Sequence, residues 1–296
     1  MKIAATLLLK FLGRCYGALI PAALLITVAD FVPSYALQLH TEKSTIGNVD
    51  FPPVTIAIRQ DVQPYVTGGG KSGYEIDVVK AIFRETEYAP EFIQLPRVRM
   101  IQTFNNEGVN GVLTSNVTLN GKGCLTDWYI KHQNVGVTLA ARDIAVNQLA
   151  DIAELSIITF DGARSFLGPN FTNETKKSPR YIESPDQKIH VSLLYFSYFD
   201  VAIGDEWILK MAQIDYKRKS GIYKPLSIHR ILPTTLYGAR FRRQAVCDAF
   251  NNGLATIRAN GRYDAINSNH FDRISAHIAD YEKELATVSK PGTIIR

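Results

Sequence analysis

Cysteine is scarce in this chain: the 296 residues contain three, Cys15, Cys124 and Cys247, alongside two tryptophans and three methionines. That count excludes a small fold stapled by disulfides and any cysteine-rich metal ribbon. The six histidines, His40, His132, His190, His229, His270 and His277, include no pair at metal-ligand spacing beside a Cys or acidic partner, so no metal is expected. A Gly-x-Ser-x-Gly elbow is missing. Gly68-Gly69-Gly70-Lys71-Ser72 fails as a phosphate loop, because Tyr65 stands where the motif needs a glycine. A hairpin turn is expected there instead. Basic runs are limited to Lys217-Arg218-Lys219 and the formal charge is +5, which argues against nucleic-acid binding. Beyond the N-terminus no apolar run is long enough to span a bilayer.

The N-terminus is the exception. Lys2, Lys10 and Arg14 precede an apolar segment from Tyr16 to Val32, and Ser34-Tyr35-Ala36 follows. These are the marks of a secretory signal over residues 1–36, cut after Ala36 and directing the protein to the periplasm. An uncleaved anchor is the alternative, since the basic region is long and Asp30 interrupts the apolar stretch. Cys15 lies before that stretch and does not read as a lipoprotein site. Removing Lys2, Lys10, Arg14 and Asp30 takes away a net +2 and leaves +3. Cys124 and Cys247 remain, and an oxidising compartment allows them to pair. The rest has the length and the apolar content for two modest domains.

What is present is a pattern written twice. Ile101 to Thr118 begins with helical spacing at Ile101 and Phe104 and breaks at Asn105-Asn106-Glu107-Gly108. It resumes as a short apolar strand from Val109 to Leu113 and ends in Thr114, Ser115, Asn116 and Thr118. His190 to Glu206 repeats the order: Val191, Leu194 and Tyr195 on a helical face, a break near Ser197, the strand Asp200 to Ile203, and Gly204-Asp205-Glu206. Polar side chains at the carboxyl ends of buried strands are where open α/β sheets bind ligands. Two copies imply two similar lobes with a cleft between them; a single large doubly wound sheet is the alternative.

The rest of the order is consistent with α/β structure. Strands are expected at Val54 to Arg59, Phe92 to Leu95, Val135 to Ala141, Leu155 to Phe160, Tyr181 to Glu183 and Ile231 to Ala239. Helices are expected at Tyr74 to Glu85, after Pro96, from Asp161-Gly162-Ala163-Arg164-Ser165, and at Arg242 to Asn260. Pro169 to Pro179 reads as a loop. Acidic neighbours such as Asp205-Glu206 do not by themselves make an acid/base couple, so the residues argue for binding more than for turnover.

Four segments carry a family resemblance: SGYEIDVVKAIF at Ser72 to Phe83, VNGVLTSN at Val109 to Asn116, FDVAIGD at Phe199 to Asp205, and FRRQAVCDAFNNGLATIRANGRYDAI at Phe241 to Ile266. In that order they resemble the periplasmic solute-binding proteins of the family that includes polar amino-acid receptors of ABC transporters. The resemblance implies an α/β, two-lobed periplasmic binding protein fold of type II, each lobe a mixed sheet flanked by helices. Residues 50–140 with 238–296 would form one lobe and 141–237 the other, with hinges near Ala140 and Tyr237. It implies a receptor that captures a small polar, amino-acid-like solute, uses no cofactor, works as a monomer and hands its cargo to a membrane permease.

Residue by residue, Thr114 and Ser115 match the hydroxyls that hold a ligand carboxylate. Ala163, Arg164 and Ser165 match the second-lobe helix start, where backbone N–H groups receive anions. Asp205 matches the acid that holds a ligand ammonium, and Tyr65 is the nearest candidate for the aromatic wall. One feature departs from the family: no Arg follows Thr118 in Leu119-Asn120-Gly121-Lys122-Gly123. Lys122 is no equivalent for a bidentate carboxylate clamp; Arg97 and Arg164 are the cations that remain. Three alternatives stay open: the ectodomain of a sensor, a module that binds a protein partner, and a dehydratase of cyclohexadienyl substrates using Asp205 or Glu206.

Overall fold

The computed structural model describes residues 51–116 and 122–288. The segment expected to be a secretory signal, and Thr118 with the three residues after it, lie outside the described residues.

The chain lays down one structural sentence twice. The first copy is β1 (Pro53–Arg59), α1 (Tyr74–Phe83), β2 (Ala89–Leu95), α2 (Arg97–Asn105) and β3 (Gly111–Ser115). The second is β6 (Ile157–Phe160), α3 (Ala163–Thr175), β7 (Tyr181–Ser184), α4 (His190–Tyr195) and β8 (Val201–Asp205). In each copy the first strand lies between the other two and parallel to both. Between the copies run β4 (Cys124–Leu125) and β5 (Ile130–Leu139). After them come α5 (Glu206–Ser220), β9 (Leu226–His229), β10 (Thr234–Phe241), α6 (Gln244–Ala259) and α7 (Arg262–Val288).

Two strands join the halves. The strand order is β2-β1-β3-β10-β5-β8-β6-β7. β5 pairs antiparallel with β10 over Ile130 to Gln133 and then with β8 over Asn134 to Val137. β10 pairs with β5 up to Tyr237 and with β3 from Gly238. Both strands therefore change partners within themselves.

The repeat extends to single atoms. After α2, the Gly108 N–H donates to the Thr103 carbonyl at 2.9 Å, with Glu107 at φ 66°. After α4, the Tyr198 N–H donates to the Leu193 carbonyl at 2.9 Å, with Ser197 at φ 56°. Both helices thus end on the same left-handed closure, which satisfies carbonyls the helix leaves unpaired. The Asn110 side chain accepts from Thr55 N–H at 3.0 Å, and the Asp200 side chain accepts from Ser156 N–H at 2.8 Å. Ser115 and Asp205, each five residues further on, end equivalent third strands.

Strand residues divide by face, as a period of two requires. In β1, Val54, Ile56 and Ile58 enter the core under α1 and α6, whereas Ala57 joins Met100 and Phe104 of α2. In β8, Val201 and Ile203 pack with Ile157 and Phe171, and Ala202 packs with Leu194 and Leu209. Each half-sheet is therefore covered on both sides, the arrangement expected of parallel strands.

Two stretches differ from expectation. The loop expected from Pro169 is helical as far as Thr175; the chain breaks at Gly168 (φ 87°) and Pro169 restarts the helix. Proline suits a first helical turn, where its missing N–H would have no partner in any case. The segment at Gly261-Arg262-Tyr263 opens a 27-residue helix, α7. Phe271 on α7 packs 4.6 Å from Tyr74 on α1 and 4.6 Å from Trp207 on α5, so this helix touches both halves. Cys124 and Cys247 form a disulfide, tying β4 to α6.

Candidate functional site

The carboxyl ends of β1, β3, β6 and β8 converge where the halves meet. Beside the ends of β1 and β6 lies a cavity of 690 Å³, lined by Arg59, Gln63 and Arg97 from the first half and by Phe160, Gln187 and Met211 from the second; Tyr65, Thr114, Ser115, Ala163, Arg164, Ser165 and Asp205 do not line it. That volume lies in the range of small-molecule sites.

Asp205 is committed to the protein. Its Oδ1 accepts from the Tyr65 hydroxyl at 3.0 Å and from Trp207 N–H at 3.0 Å and Ile208 N–H at 3.2 Å. The last two make it the N-cap of α5, the role for which a short acidic side chain is best suited. Its Oδ2 accepts from Gln133 N–H at 3.1 Å. With 2 % of its surface exposed, burial raises its pKa to about 6, against the lowering effect of the bonds from Tyr65, Ile208 and Trp207.

Tyr65 comes from the loop after β1 and is fully buried. Its ring stacks on His132 at 4.3 Å, and its hydroxyl reaches across to the Asp205 of the other half. Gly73 makes this seat: at φ 112° it turns the chain into α1, and a Cβ there would meet the Tyr65 carbonyl oxygen at 2.4 Å. Burial holds His132 well below its usual pKa, assisted by the positive charges of Arg59 and Arg97. The imidazole is neutral, and its Nδ1, 4.0 Å from Asp205, forms no ion pair. Tyr65 and Asp205, two of the residues singled out in the sequence, are thus brought together, and each occupies the other.

The remaining sequence candidates are placed as follows. The Thr114 hydroxyl donates to Glu75 Oε1 at 2.7 Å, and the same oxygen receives the Tyr129 hydroxyl at 2.5 Å. Thr114 adopts φ 51°, a strained value for a β-branched residue. Tyr129 also accepts from Thr114 N–H at 3.0 Å, which helps to hold that conformation. Ser115 is buried and its Oγ has no partner among the described residues. At the start of α3, Ala163 is buried and Ser165 exposed. The anion seat there is taken from within: Glu183 accepts from Gly162 N–H at 2.8 Å and from Arg164 N–H at 3.2 Å. The Arg164 guanidinium points back along its own helix, donating to the Thr175 hydroxyl and carbonyl at 3.1 Å each and lying 3.8 Å from the Tyr181 ring centre.

Arg59 and Arg97 are cations of the cavity wall. Arg59 ends β1 opposite Leu95 of β2, and Arg97 lies two residues beyond Leu95 at the start of α2. Arg59 is 8 % exposed, and its Nε and Nη2 have no partner. Arg97 stacks 3.5 Å from the ring centre of Phe166, on α3 of the other half, and its Nη2 is buried without a partner. Burial, then the charge of Arg59, lowers the Arg97 pKa to about 10. Arg59 was passed over in the sequence, where it reads as the last residue of a strand. Its signal was available: a charged residue closing an otherwise apolar strand, at the carboxyl end of a sheet.

Residues 54–273 match the bacterial extracellular solute-binding proteins, family 3. The chain belongs to that family. Among curated proteins none matches the sequence. Solved structures do. A histidine kinase sensor domain with similarity to periplasmic binding proteins superposes with a TM-score of 0.62 at 18% identity, covering 75% of this chain and 97% of that one. An ancestral arginine-binding protein bound to glutamine gives 0.60 at 17% identity, covering 74% and 97%. The GluR0 ligand-binding core from Nostoc punctiforme, in complex with L-glutamate, gives 0.60 at 18% identity, covering 74% and 100%. The fold is therefore that of type II periplasmic binding proteins, mixed α/β in each half. Family and fold together give the chain a ligand-binding role of the periplasmic-binding-protein kind.

Proposed function

We propose that this chain is an exported solute receptor that encloses a small polar solute between its two halves and delivers it to a membrane permease of the ABC type. The observation that carries this reading is the 690 Å³ cavity, walled by both halves, with buried polar atoms of Arg59, Arg97 and Gln187 left unpartnered at its wall. Buried polar groups are rarely left unpaired unless something else completes them. The moving bodies would be residues 50–140 with 238–296 and residues 141–237. The first hinge is better placed inside β5 than at Ala140, since β5 changes partners between Gln133 and Asn134. Closure of this kind is the usual motion of such receptors.

A second reading draws on the Tyr65–Asp205 bond. A domain whose ammonium seat is filled by its own tyrosine need not hold an amino acid, and would serve as a sensor or bind a protein partner. The dehydratase reading has less support. Asp205 is committed to four bonds, and Glu206 is paired with Lys210 at 2.8 Å and with Arg230 at 2.8 Å.

A thermal-shift screen of the exported protein against amino acids, polyamines, carboxylic acids and small sugars tests the receptor reading. A solute at a hundred times its dissociation constant stabilises by roughly 2.7 kcal/mol. Silence across the panel would sink the solute receptor and leave the sensor or partner-binding role.

A further inference from the structure

Two guanidinium groups share the wall of one cavity without an anion between them. Arg59 is nine-tenths buried, lines the cavity and leaves Nε and Nη2 unbonded. Arg97 lines the same cavity and leaves Nη2 unbonded. Among the described residues neither forms an ion pair. Charges of one sign held together away from water are tolerated only when something of the other sign completes them. The protein's own buried acids, Asp205 and Glu75, lie close enough for their charges to act on Arg59 and Arg97 respectively, but neither bonds to an arginine. Asp205 spends its oxygens on Tyr65, Gln133, Trp207 and Ile208, and Glu75, bound by Thr114 and Tyr129, does not line the cavity.

Apart from these two, the cavity wall carries two cations, Arg99 and Lys188, and four carboxylates, Asp61, Asp161, Asp186 and Asp215. Arg99 and Lys188 are exposed, as is Asp161. Asp61 accepts from Gly69 N–H and Gln94, Asp186 accepts from Lys188 N–H, and Asp215 lies 3.9 Å from Arg218. These carboxylates are exposed or bonded elsewhere, and Arg59, buried, and Arg97, half-buried and hydrogen-bonded to Tyr237, form no ion pair with any of them among the described residues. Opposite them the second half offers an apolar patch, Phe160, Ile208 and Met211, bordered by Asp161, Asp186, Lys188 and Asp215.

Resting on the receptor reading above, we propose that Arg59 and Arg97 form the seat for the oxyanion head of an organic acid, whose apolar body lies against Phe160, Ile208 and Met211. The guanidinium forks suit a carboxylate or a phosphate monoester, since each presents two oxygens to parallel N–H groups. The ligand carries no ammonium at Asp205, because Tyr65 already donates there. Phe166 caps Arg97 from the second half, so the seat is complete only when the halves are together. Specificity thus follows from two arginines that the family's usual strand-end clamp does not include.

The test is calorimetry on the exported protein with matched probes: carboxylic acids, the α-amino acids of the same skeleton, and phosphate monoesters of similar size. The expected result is that an acid without an ammonium binds more tightly than its amino-acid counterpart, and that the carboxylate and phosphate arms identify the head. Arg59→Gln and Arg97→Gln should each weaken that probe by on the order of 10- to 100-fold. Arg59→Lys, which keeps the charge without the fork, should fall between. Arg97→Gln also gives up the stacking on Phe166, so each variant is melted beside its binding titration, and a loss of binding counts only where the variant is still folded at the titration temperature. Tighter binding of the amino acid, or an acid that binds the glutamine variants undiminished, overturns the seat while leaving a receptor. If no probe of the three classes binds, the seat is overturned; if neutral or cationic solutes bind instead, the receptor reading stands without it.

Discussion

The hydroxyl of Tyr65 donates to Asp205 Oδ1 at 3.0 Å, joining a loop of the first half-sheet to the end of β8 in the second. Both residues are buried, so the bond is shielded from water and from salt. It places a protein donor on the carboxylate that the family resemblance would assign to a ligand ammonium. Removing the donor alone should therefore be felt. Tyr65→Phe keeps the stacking on His132 and leaves a buried carboxylate one bond short, which should destabilise by about 1 to 3 kcal/mol. Chemical denaturation followed by tryptophan fluorescence measures this directly, Trp207 being the first residue of α5 after the one that follows Asp205. An unchanged midpoint would mean that the two halves are not held by this bond.

Asp205 also gives the protein a pH signature. Its folded pKa is about 6 against an ordinary 3.8, the increase arising from burial. A group whose folded pKa is raised holds its proton more tightly when folded, so its contribution is fully present below the unfolded value and is lost as pH rises through the folded one. Between pH 4 and 6, therefore, Asp205 should remove about 3 kcal/mol of stability, at roughly 1.36 kcal/mol per unit. Asp205→Asn, which can still cap α5, should lack that slope. Unfolding curves at stepped pH, parent minus variant, isolate the effect; parallel curves across the interval would refute it.

Much of the fold was legible because it depends on local patterns that repeat. The helix, turn and strand at Ile101 to Ser115 and at His190 to Asp205 could be read twice, since the same left-handed closures and the same buried third strands recur. The length of α7 was not legible. Gly261 beside Asn260 reads as a terminus and is one, ending α6, but the outer residues beyond it are polar and do not announce a second helix, which runs on because Phe271 and Ile274 are buried under it. The site was legible by position and less so by role. Strand ends pointed to Thr114, Ser115 and Asp205, but a sequence does not say whether a carboxylate will meet a ligand or its own protein. Glu183 illustrates the difficulty: nothing near Tyr181 announces that its side chain will reach the start of α3. Arg164 and Arg97 changed places for a similar reason. The first folds back on Thr175, whereas the second, at a helix start that reads as exposed, lines the cavity.

The disulfide makes a third prediction. Cys124 and Cys247 lie 123 residues apart in sequence, and their link fixes β4 against α6. Closing so long a loop restricts the unfolded chain, and native disulfides typically contribute about 2 to 5 kcal/mol. Reduction, or Cys124→Ser with Cys247→Ser, should lower the melting temperature without changing which residues line the cavity. Melting with and without a thiol reductant checks it. Identical melting of both forms, with thiol titration confirming reduction, would remove the link from any part in stability.

The start of α3 gives the last prediction. In Glu183, burial alone would raise the carboxyl pKa, but the Tyr181 hydroxyl and the N–H groups of Arg164 and Gly162 outweigh it and hold the group below its ordinary value. The helix therefore has its anion built in. Glu183→Gln keeps the size and removes the charge, and should cost about 0.5 to 2 kcal/mol, the usual range for a lost helix cap. Its pH sense is opposite to that of Asp205. A depressed folded pKa contributes stability above the unfolded value and loses it as pH falls through the folded one. The parent should thus lose its advantage over Glu183→Gln on the acid side of pH 4.5, whereas it loses stability relative to Asp205→Asn as pH rises from 4 to 6. Measured in one titration series, the two variants separate: a carboxylate the fold holds charged, and one it holds reluctantly. If α3 instead gave up its seat to a ligand, Glu183→Gln would bind an added carboxylate at the freed N–H groups, and the variant would be rescued by millimolar acetate as the parent is not.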